Sequence, residues 1–160
     1  MVRAQWQPIT HFSYVCRNYR LATFIDDRTS RLDSDVREFS RRFHEGVTQK
    51  SAHLESFAAK IRGWYHFYDP IIASIIIRSS LGFVDACLLE TKSDYQTMPQ
   101  TPGGERWAAF FRVMNGVTDA YAFMAFPQDL FPKVSDYLQI APDVGIFILL
   151  CNDVLSYVEC

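Results

Sequence analysis

Side chains with oxygen atoms gather at the end of the chain, where residues 151–160 read CNDVLSYVEC after an apolar run. Asn152 and Ser156 are four residues apart and share a helix face, and Glu159 falls about 20° from Asn152 around the 3.6-residue period. An amide oxygen, a hydroxyl and a carboxylate on one face form a hard oxygen set that suits Mg²⁺. The alternative is a core helix that becomes polar where it reaches solvent.

An acidic pair, Asp26 and Asp27, follows an apolar helical run near the start of the chain. Carboxylates near a helix C-terminus face the negative end of the helix dipole, which costs roughly a few tenths of a kcal/mol each. This unfavourable placement invites a compensating cation. The alternative is a solvated turn in which Arg28 and Arg31 pair with the acids.

A third candidate is Arg112, which lies in the aromatic segment WAAFFRVMNG. A charged side chain in an apolar helical stretch needs a partner. A guanidinium binds phosphate oxygens in a bidentate manner. The alternative is an arginine whose charged end extends to water.

The composition limits the class of protein. The 160 residues, 49% hydrophobic and 15% aromatic, suit a single globular domain over residues 1–160. The net charge of −2 argues against nucleic acid as a partner. The four cysteines have no zinc spacing, and the N-terminus lacks a secretory signal. The longest apolar runs, 71–77 and 144–151, are too short to span a bilayer. We therefore expect a cytoplasmic protein without a membrane span.

Helical periods dominate the sequence and predict an all-α fold. The run IIASIII could also be a buried strand, but the pattern continues to Glu90 without a turn signal, which favours a helix. Residues 144–151 are apolar on every side, which predicts a helix buried all round. The predicted helices cover residues 12–25, 33–50, 51–68, 70–90, 105–126, a short stretch near 134–140, and a last one from Pro142 or Asp143 onward. The helix over 33–50 is expected at the surface with one apolar stripe of Val36, Phe39, Phe43 and Val47. In the next helix the residues expected to face inward are Leu54, Phe57, Ala58, Ile61 and Tyr65.

Three segments together resemble a known family. The stretches IIIRSSLGFVDACLLE, FFRVMNG and LLCNDVLSYVE look like the fungal trichodiene synthase family of class I sesquiterpene cyclases. The resemblance is best from residue 71 to residue 159 and fainter back to Tyr19. It covers most of this chain but less than half of a family member. It implies a class I terpenoid synthase-like helical bundle that is incomplete on its C-terminal side.

The resemblance also implies roles for individual residues. Asp26 resembles the first aspartate of the aspartate-rich motif that binds Mg²⁺, and Asp27 matches its neighbour. Arg112 stands where the family has its diphosphate-sensing arginine. Asn152 and Ser156 match the first two ligands of the Asn/Ser/Glu metal motif. The implied reaction is metal-triggered loss of diphosphate from a prenyl diphosphate such as farnesyl diphosphate, followed by cyclisation of the carbocation in an aromatic cavity.

The chain departs from the family pattern in three places. Ser30 stands where the aspartate-rich motif usually has an acid. The glutamate of the metal motif is expected at Cys160, and Glu159 is one residue early. The C-terminal Arg-Tyr pair of the family has no counterpart here. These departures predict a truncated and impaired cyclase; the alternative is a non-catalytic helical domain that binds a prenyl diphosphate or a partner chain, and a homodimer stays an open alternative.

Overall fold

The computed structural model describes residues 8–157. Within that range the regular elements are helical, as the periodicity predicts, with no strand. In chain order the α-helices are α1 (Pro8–Arg28), α2 (Asp33–Val36), α3 (Phe39–Glu45), α4 (Ala52–Arg62), α5 (Pro70–Glu90), α6 (Ser93–Gln96), α7 (Trp107–Asn115), α8 (Thr118–Met124) and α9 (Ala141–Tyr157). Two 3₁₀ turns, Gly63–His66 and Val134–Asp136, lie after α4 and before α9.

The central element is α5, whose bounds agree with the sequence prediction. Asp69 caps it, because its carboxylate accepts the backbone N–H of Ile71 at 2.8 Å, and Pro70 occupies the first turn. The helix packs against α1, α3, α4, α7 and α8. Its buried residues are Ile72, Ala73, Ile76, Ser80, Phe83, Val84, Ala86 and Cys87. The alternative of a strand at IIASIII is therefore wrong.

Length and composition alone would allow α5 to cross a membrane. The same features are typical of the core helix of a globular protein, and α5 has that position here, with helices against it on several sides. The sequence prediction considered the apolar runs 71–77 and 144–151, which are shorter than a membrane span, and so did not single out the whole helix.

The acidic pair lies inside α1 rather than beyond its end. The predicted helix ended at Asp26 and Asp27, but α1 continues through both residues to Arg28. Thr29 then donates its hydroxyl hydrogen to the carbonyl of Ile25 at 2.6 Å. The two acids thus occupy the last turn of the helix, where the dipole argument still applies.

The predicted surface helix over residues 33–50 is two short helices. The backbone leaves the helix after α3, where Gly46 adopts a left-handed conformation with φ of 70°. Phe39 is buried as its position in the apolar stripe predicts, whereas Val47 lies beyond the helix and is exposed. Ion pairs such as Arg42 with Glu38 at 3.1 Å join neighbouring turns on the outer face.

The segment 51–68 is helical as predicted, but it changes register near its end. Ser51 caps α4 by accepting the backbone N–H of Leu54 at 3.3 Å. The predicted inward residues Leu54, Phe57, Ala58 and Ile61 are buried. Tyr65, also predicted to face inward, is 53% exposed, and Trp64 is buried in its place. The cause is the tighter 3₁₀ turn Gly63–His66, which rotates the following side chains relative to an α-helix.

The predicted helix over residues 105–126 is broken in the middle, between α7 and α8. Gly116 and Val117 form the break, and Val117 has a left-handed φ of 51°. That conformation is a genuine outlier for a β-branched residue. A Cβ on Gly116 would meet the side chain of Leu149 and would lie 2.9 Å from the carbonyl oxygen of Arg112. Glycine at this position therefore leaves room for both the last carbonyls of α7 and the side chain of Leu149 on α9.

The last helix, α9, is buried on one side only, so the prediction of a helix buried all round is wrong. Ile146, Phe147 and Leu150 are 54%, 66% and 58% exposed. The opposite face packs on α8, where Gly145 is buried. An all-apolar run therefore covers both a packed face and an open one in the described structure.

Gly145 permits a stability test with a matched control in α5. A Cβ on Gly145 would lie 2.8 Å from Cγ2 of Thr118, whereas a Cβ on Gly82 would meet only Met114 Cγ at 3.6 Å. We expect Gly145→Ala to lower the free energy of unfolding by about 1–3 kcal/mol because α8 and α9 must separate. Gly82→Ala should raise it by about 0.5–1 kcal/mol, since alanine is the better helix residue.

Chemical denaturation of both variants and the parent chain measures the difference. A Gly145→Ala variant as stable as Gly82→Ala would contradict the close packing of α8 on α9.

Candidate functional site

A cavity of about 510 Å³ opens between α1, α5, α7, α8 and α9. One face of α1 contributes side chains at helical spacing along three turns, from Val15 to Asp26. The break between α7 and α8 forms part of the opposite wall. The lining residues are Val15, Tyr19, Ala22, Thr23, Asp26, Phe83, Arg112, Asn115, Gly116, Val117, Tyr121, Met124, Ala125, Ile148, Leu149 and Asn152.

Three of the predicted site residues line this cavity together. Asp26, Arg112 and Asn152 come from α1, α7 and α9, and they meet where α1 ends. Asp27 is exposed and lies outside the lining, although its charge acts on Asp26. The structure thus brings together residues that are up to 126 positions apart in the chain.

Two further predicted ligands, Ser156 and Glu159, lie at or beyond the end of the described residues. Ser156 belongs to α9, and the position of its side chain is not described. Glu159 lies outside the described residues. Their roles as metal ligands therefore stay predictions.

The guanidinium of Arg112 has partners on α9. Its Nε donates to Oδ1 of Asp153 at 2.9 Å, and its Nη2 donates to Oδ1 of Asn152 at 3.2 Å and also to Asp153. The sequence prediction placed Asp153 about 100° from Asn152 on the helix and gave it no role. Since both residues contact one guanidinium, Arg112 ties α7 to the polar end of α9.

Asp26 has an unusual environment for a carboxylate. Its nearest described hydrogen-bond partner is the thiol of Cys87, with Sγ 3.6 Å from Oδ1. Burial raises the pKa of Asp26 above its usual value, and the charge of Asp27 raises it further, whereas the Cys87 hydrogen bond and the charge of Arg112 lower it. Burial and the neighbouring Asp26 also raise the pKa of the Cys87 thiol, which is therefore not a nucleophile near neutral pH.

A second carboxylate, Glu90 at the end of α5, was not predicted from the sequence. Oε1 of Glu90 accepts a hydrogen bond from the side-chain amide of Asn115 at 2.5 Å. Burial and the charge of Asp26 raise the pKa of Glu90, and the Asn115 hydrogen bond and the charge of Arg112 lower it. In the sequence Glu90 is an acid at the end of a largely apolar helix, and no local spacing links it to Asp26 or Asn115.

Aromatic side chains form part of the wall. Tyr19 and Phe83 line the cavity, and Tyr121 joins them with its ring centroid 6.0 Å from that of Tyr19. Phe24 instead stacks on His53, and Phe111 packs against Tyr95 and Trp107. Since rings present negative π faces, the lining suits a cationic ligand.

The residues at the polar end fit a magnesium ion. Among residues 8–157, no three His, Cys, Asp or Glu side chains form a protein-only metal site. Mg²⁺ does not need one, because it usually binds through one or two carboxylates together with waters and substrate phosphates. The carboxylates are those of Asp26, which lines the cavity, and of Glu90, whose pKa responds to the charge of Asp26. Asn152 lines the same cavity, and its amide oxygen accepts a hydrogen bond from Arg112. The charge of Asp26 raises the pKa of Glu90, and a cation bound beside the two acids would relieve this repulsion.

Comparisons with known proteins show the family of this chain. The family model described as "Trichodiene synthase (TRI5)" matches residues 6–159. The chain is 36% identical to "Terpene synthase BipA" of Cochliobolus sativus over 137 residues. This alignment covers 86% of this chain and 42% of that protein. It is 32% identical over 147 residues to "Longiborneol synthase CLM1" of Gibberella zeae, in an alignment that covers 90% of this chain and 43% of that protein. It is 28% identical over 140 residues to "(E)-beta farnesene synthase" of Metarhizium brunneum, in an alignment that covers 86% of this chain and 42% of that protein.

The chain thus spans less than half the length of these relatives. The match nevertheless extends over nearly all of the residues described here and includes each of the elements that form the cavity. This chain belongs to the trichodiene synthase family of terpene synthases.

Proposed function

We propose that this chain provides the metal- and diphosphate-binding part of a class I sesquiterpene cyclase that acts on farnesyl diphosphate with Mg²⁺. The observation that carries the proposal is the convergence of Asp26, Arg112 and Asn152 at one end of a largely apolar cavity. An amphiphilic substrate with a charged head and a hydrocarbon tail matches that distribution of polar and apolar surface. We also propose this cyclase activity for a longer protein that contains the chain.

Each side chain at the polar end has a distinct task in this proposal. Arg112 donates charge-assisted hydrogen bonds to diphosphate oxygens and holds the head group in place. Asp26 and Glu90, with Asn152 beside them, hold Mg²⁺. The bound metal supplies Lewis-acid stabilisation of the negative charge on the diphosphate.

The apolar part of the cavity protects and shapes the hydrocarbon. Tyr19, Phe83 and Tyr121 present ring faces, each of which stabilises a desolvated cation by up to about 2 kcal/mol. Ile148 and Leu149 of α9 reduce the access of water from the other side. A dry, aromatic wall favours rearrangement of a carbocation over its capture by water.

A second candidate is a helical domain that binds a prenyl diphosphate without chemistry. The alternative also includes binding of a partner chain, which the exposed apolar face of α9 with Ile146, Phe147 and Leu150 favours, since this face lies outside the cavity lining and is open to association. Release of diphosphate, rather than binding, separates the two.

Binding of farnesyl diphosphate in Mg²⁺ and in excess chelator tests the proposed site. Removing one carboxylate removes a ligand from the metal, so we expect Asp26→Asn to weaken the Mg²⁺-dependent binding by about tenfold or more. Titration calorimetry gives the affinities, and gas chromatography–mass spectrometry of the organic extract detects any cyclic product.

Asp119→Asn is the matched control, because Asp119 is exposed on α8 and does not line the cavity. Equal affinity for parent chain and Asp26→Asn, or binding that chelator does not weaken, would refute the metal site. Mg²⁺-dependent binding with no release of diphosphate would select the non-catalytic alternative.

A further inference from the structure

A second, smaller cavity of about 300 Å³ lies next to the first and is lined by His11, Phe12, Val15, Met124, Ala125, Pro127 and Leu130. Three of these residues, Val15, Met124 and Ala125, also line the larger cavity. Ala125 carries only a methyl group. The side chains of Val15 and Met124 therefore form most of the partition between the two spaces.

The small cavity extends the large one away from its polar end. Along α1 the shared wall runs from Asp26 through Tyr19 and Val15 to His11. At 1.5 Å per helical residue, Val15 lies about 16 Å from Asp26 along the helix axis, and His11 about 22 Å. The two cavities thus follow one another along α1, from the charged residues to an apolar pocket, with the partition between them.

The partition is fixed in place by a hydrogen-bond chain. The hydroxyl of Tyr68 donates to the carbonyl oxygen of Met124 at 2.9 Å, and Nε2 of His11 lies 2.6 Å from the same hydroxyl. Since Tyr68 has one hydroxyl hydrogen, His11 must donate from Nε2. These contacts hold the backbone of Met124 in place. Met124 is only 4% exposed, and its side chain therefore decides whether the two cavities connect.

We propose that Met124 sets the length of the hydrocarbon chain that the cavity accepts, and that the small cavity receives the end of a longer prenyl chain when this side chain is shortened. The inference rests on the proposed function for the identity of the ligand. It adds a specificity-determining residue and a subsite for the distal isoprene unit. In the parent chain Met124 favours farnesyl over geranylgeranyl.

The test uses the prenyl alcohols farnesol and geranylgeraniol, which lack the diphosphate and so do not depend on the metal site. Their affinities are measured by displacement of a fluorescent apolar probe from the parent chain and from Met124→Ala. We expect Met124→Ala to raise the affinity for geranylgeraniol relative to farnesol by about tenfold, because additional methylene groups enter apolar surroundings.

Two variants keep this result specific. Met114→Ala removes the same atoms from a half-buried methionine of α7 that lines neither cavity, and it should leave the ratio of affinities unchanged. Leu130→Trp fills the small cavity from an exposed position, and in the Met124→Ala background it should abolish the gain. If Met124→Ala does not fold, Met124→Val should show a smaller gain in the same direction.

An unchanged ratio in folded Met124→Ala, an equal gain in Met114→Ala, or a gain that survives Leu130→Trp would each overturn the inference. Repeating the titrations with the two diphosphates in Mg²⁺ separates it from the proposed function. A response to Met124 with the alcohols but no Mg²⁺-dependent binding of either diphosphate would support the hydrocarbon subsite and reject the diphosphate site.

Discussion

Replacing Arg112 with lysine is expected to lower the affinity of the chain for inorganic diphosphate in Mg²⁺ by about tenfold. Lysine keeps the positive charge but loses the planar fork that contacts two oxygens at once. The fold should be little affected, because the Arg112 side chain is partly exposed and its ion pair with Asp153 contributes at most about 1 kcal/mol. Titration calorimetry gives the affinity, and thermal unfolding gives the stability.

Arg37→Lys is the matched control for this experiment. Arg37 also pairs with an aspartate, Asp33, at 2.5 Å, but it lies on the surface at α2 and lines neither cavity. Asp153→Asn should instead raise the affinity for inorganic diphosphate, by up to about fivefold. The change frees the guanidinium of Arg112 from its ion pair and removes a negative charge near the anion. An Arg112→Lys variant with unchanged affinity or a greatly lowered melting temperature would make Arg112 a structural residue.

The ion pair of Arg112 illustrates which part of the site the sequence could provide. The residue type and its aromatic surroundings show that a partner is needed, and the spacing of Asn152 and Ser156 shows a polar helix face. The identity of the partner depends on the distance between α7 and α9. That distance depends on tertiary packing, in which the side chain of Leu149 on α9 lies against Gly116 after α7 and Gly145 of α9 lies against Thr118 of α8.

Glu90 was missed for a related reason. Local spacing connects it with nothing, because its neighbours Asp26 and Asn115 come from two other helices. Sequence patterns report on residues within one turn or one helix, whereas a site shared by three helices needs their relative placement. The resemblance to a family pointed to Asp26, Arg112 and Asn152, which line one cavity. The structure adds Glu90 and Asp153 as neighbours of lining residues, since Glu90 bonds Asn115 and Asp153 bonds Arg112.

The elements themselves were predictable where capping signals are local. Asp69 followed by Pro70 marks the start of α5, and Ser51 marks the start of α4, because each side chain accepts a backbone N–H of its own first turn. The break at Val117 carries no such signal. It places a β-branched residue in a left-handed conformation that only surrounding contacts can maintain.

The turn after α4 leads to a second expected result, which concerns stability. Trp64 is completely buried and packs edge-on against Tyr14 and Tyr68, with ring centroids 4.9 Å and 5.7 Å apart. The hydroxyl of Tyr14 donates to the carbonyl of Lys60 at 2.6 Å and occupies the space where a Cβ on Gly63 would stand. Tyr14 therefore fixes the backbone at Gly63 and directs Trp64, rather than Tyr65, into the core.

Trp64→Ala should lower the free energy of unfolding by about 3–5 kcal/mol, because it removes the largest buried side chain and leaves a cavity between α1 and α4. That loss is a large share of the roughly 5–15 kcal/mol that stabilises a typical domain. Tyr65→Ala is the control at the adjacent position. Its ring is more than half exposed and its hydroxyl contacts Ser74 at the surface, so the change should stay within about 0.5 kcal/mol.

Trp64→Phe separates ring packing from the indole N–H. Nε1 of Trp64 is buried without a hydrogen-bond partner among the residues described here, so removing it forfeits no described hydrogen bond. Phenylalanine keeps part of the edge-on packing and should retain more than half of the stability that alanine loses. Urea denaturation of the three variants measures these differences. If Tyr65→Ala proved as destabilising as Trp64→Ala, the α-helical register that the sequence predicts would hold through residue 65, and the 3₁₀ turn would not determine which ring enters the core.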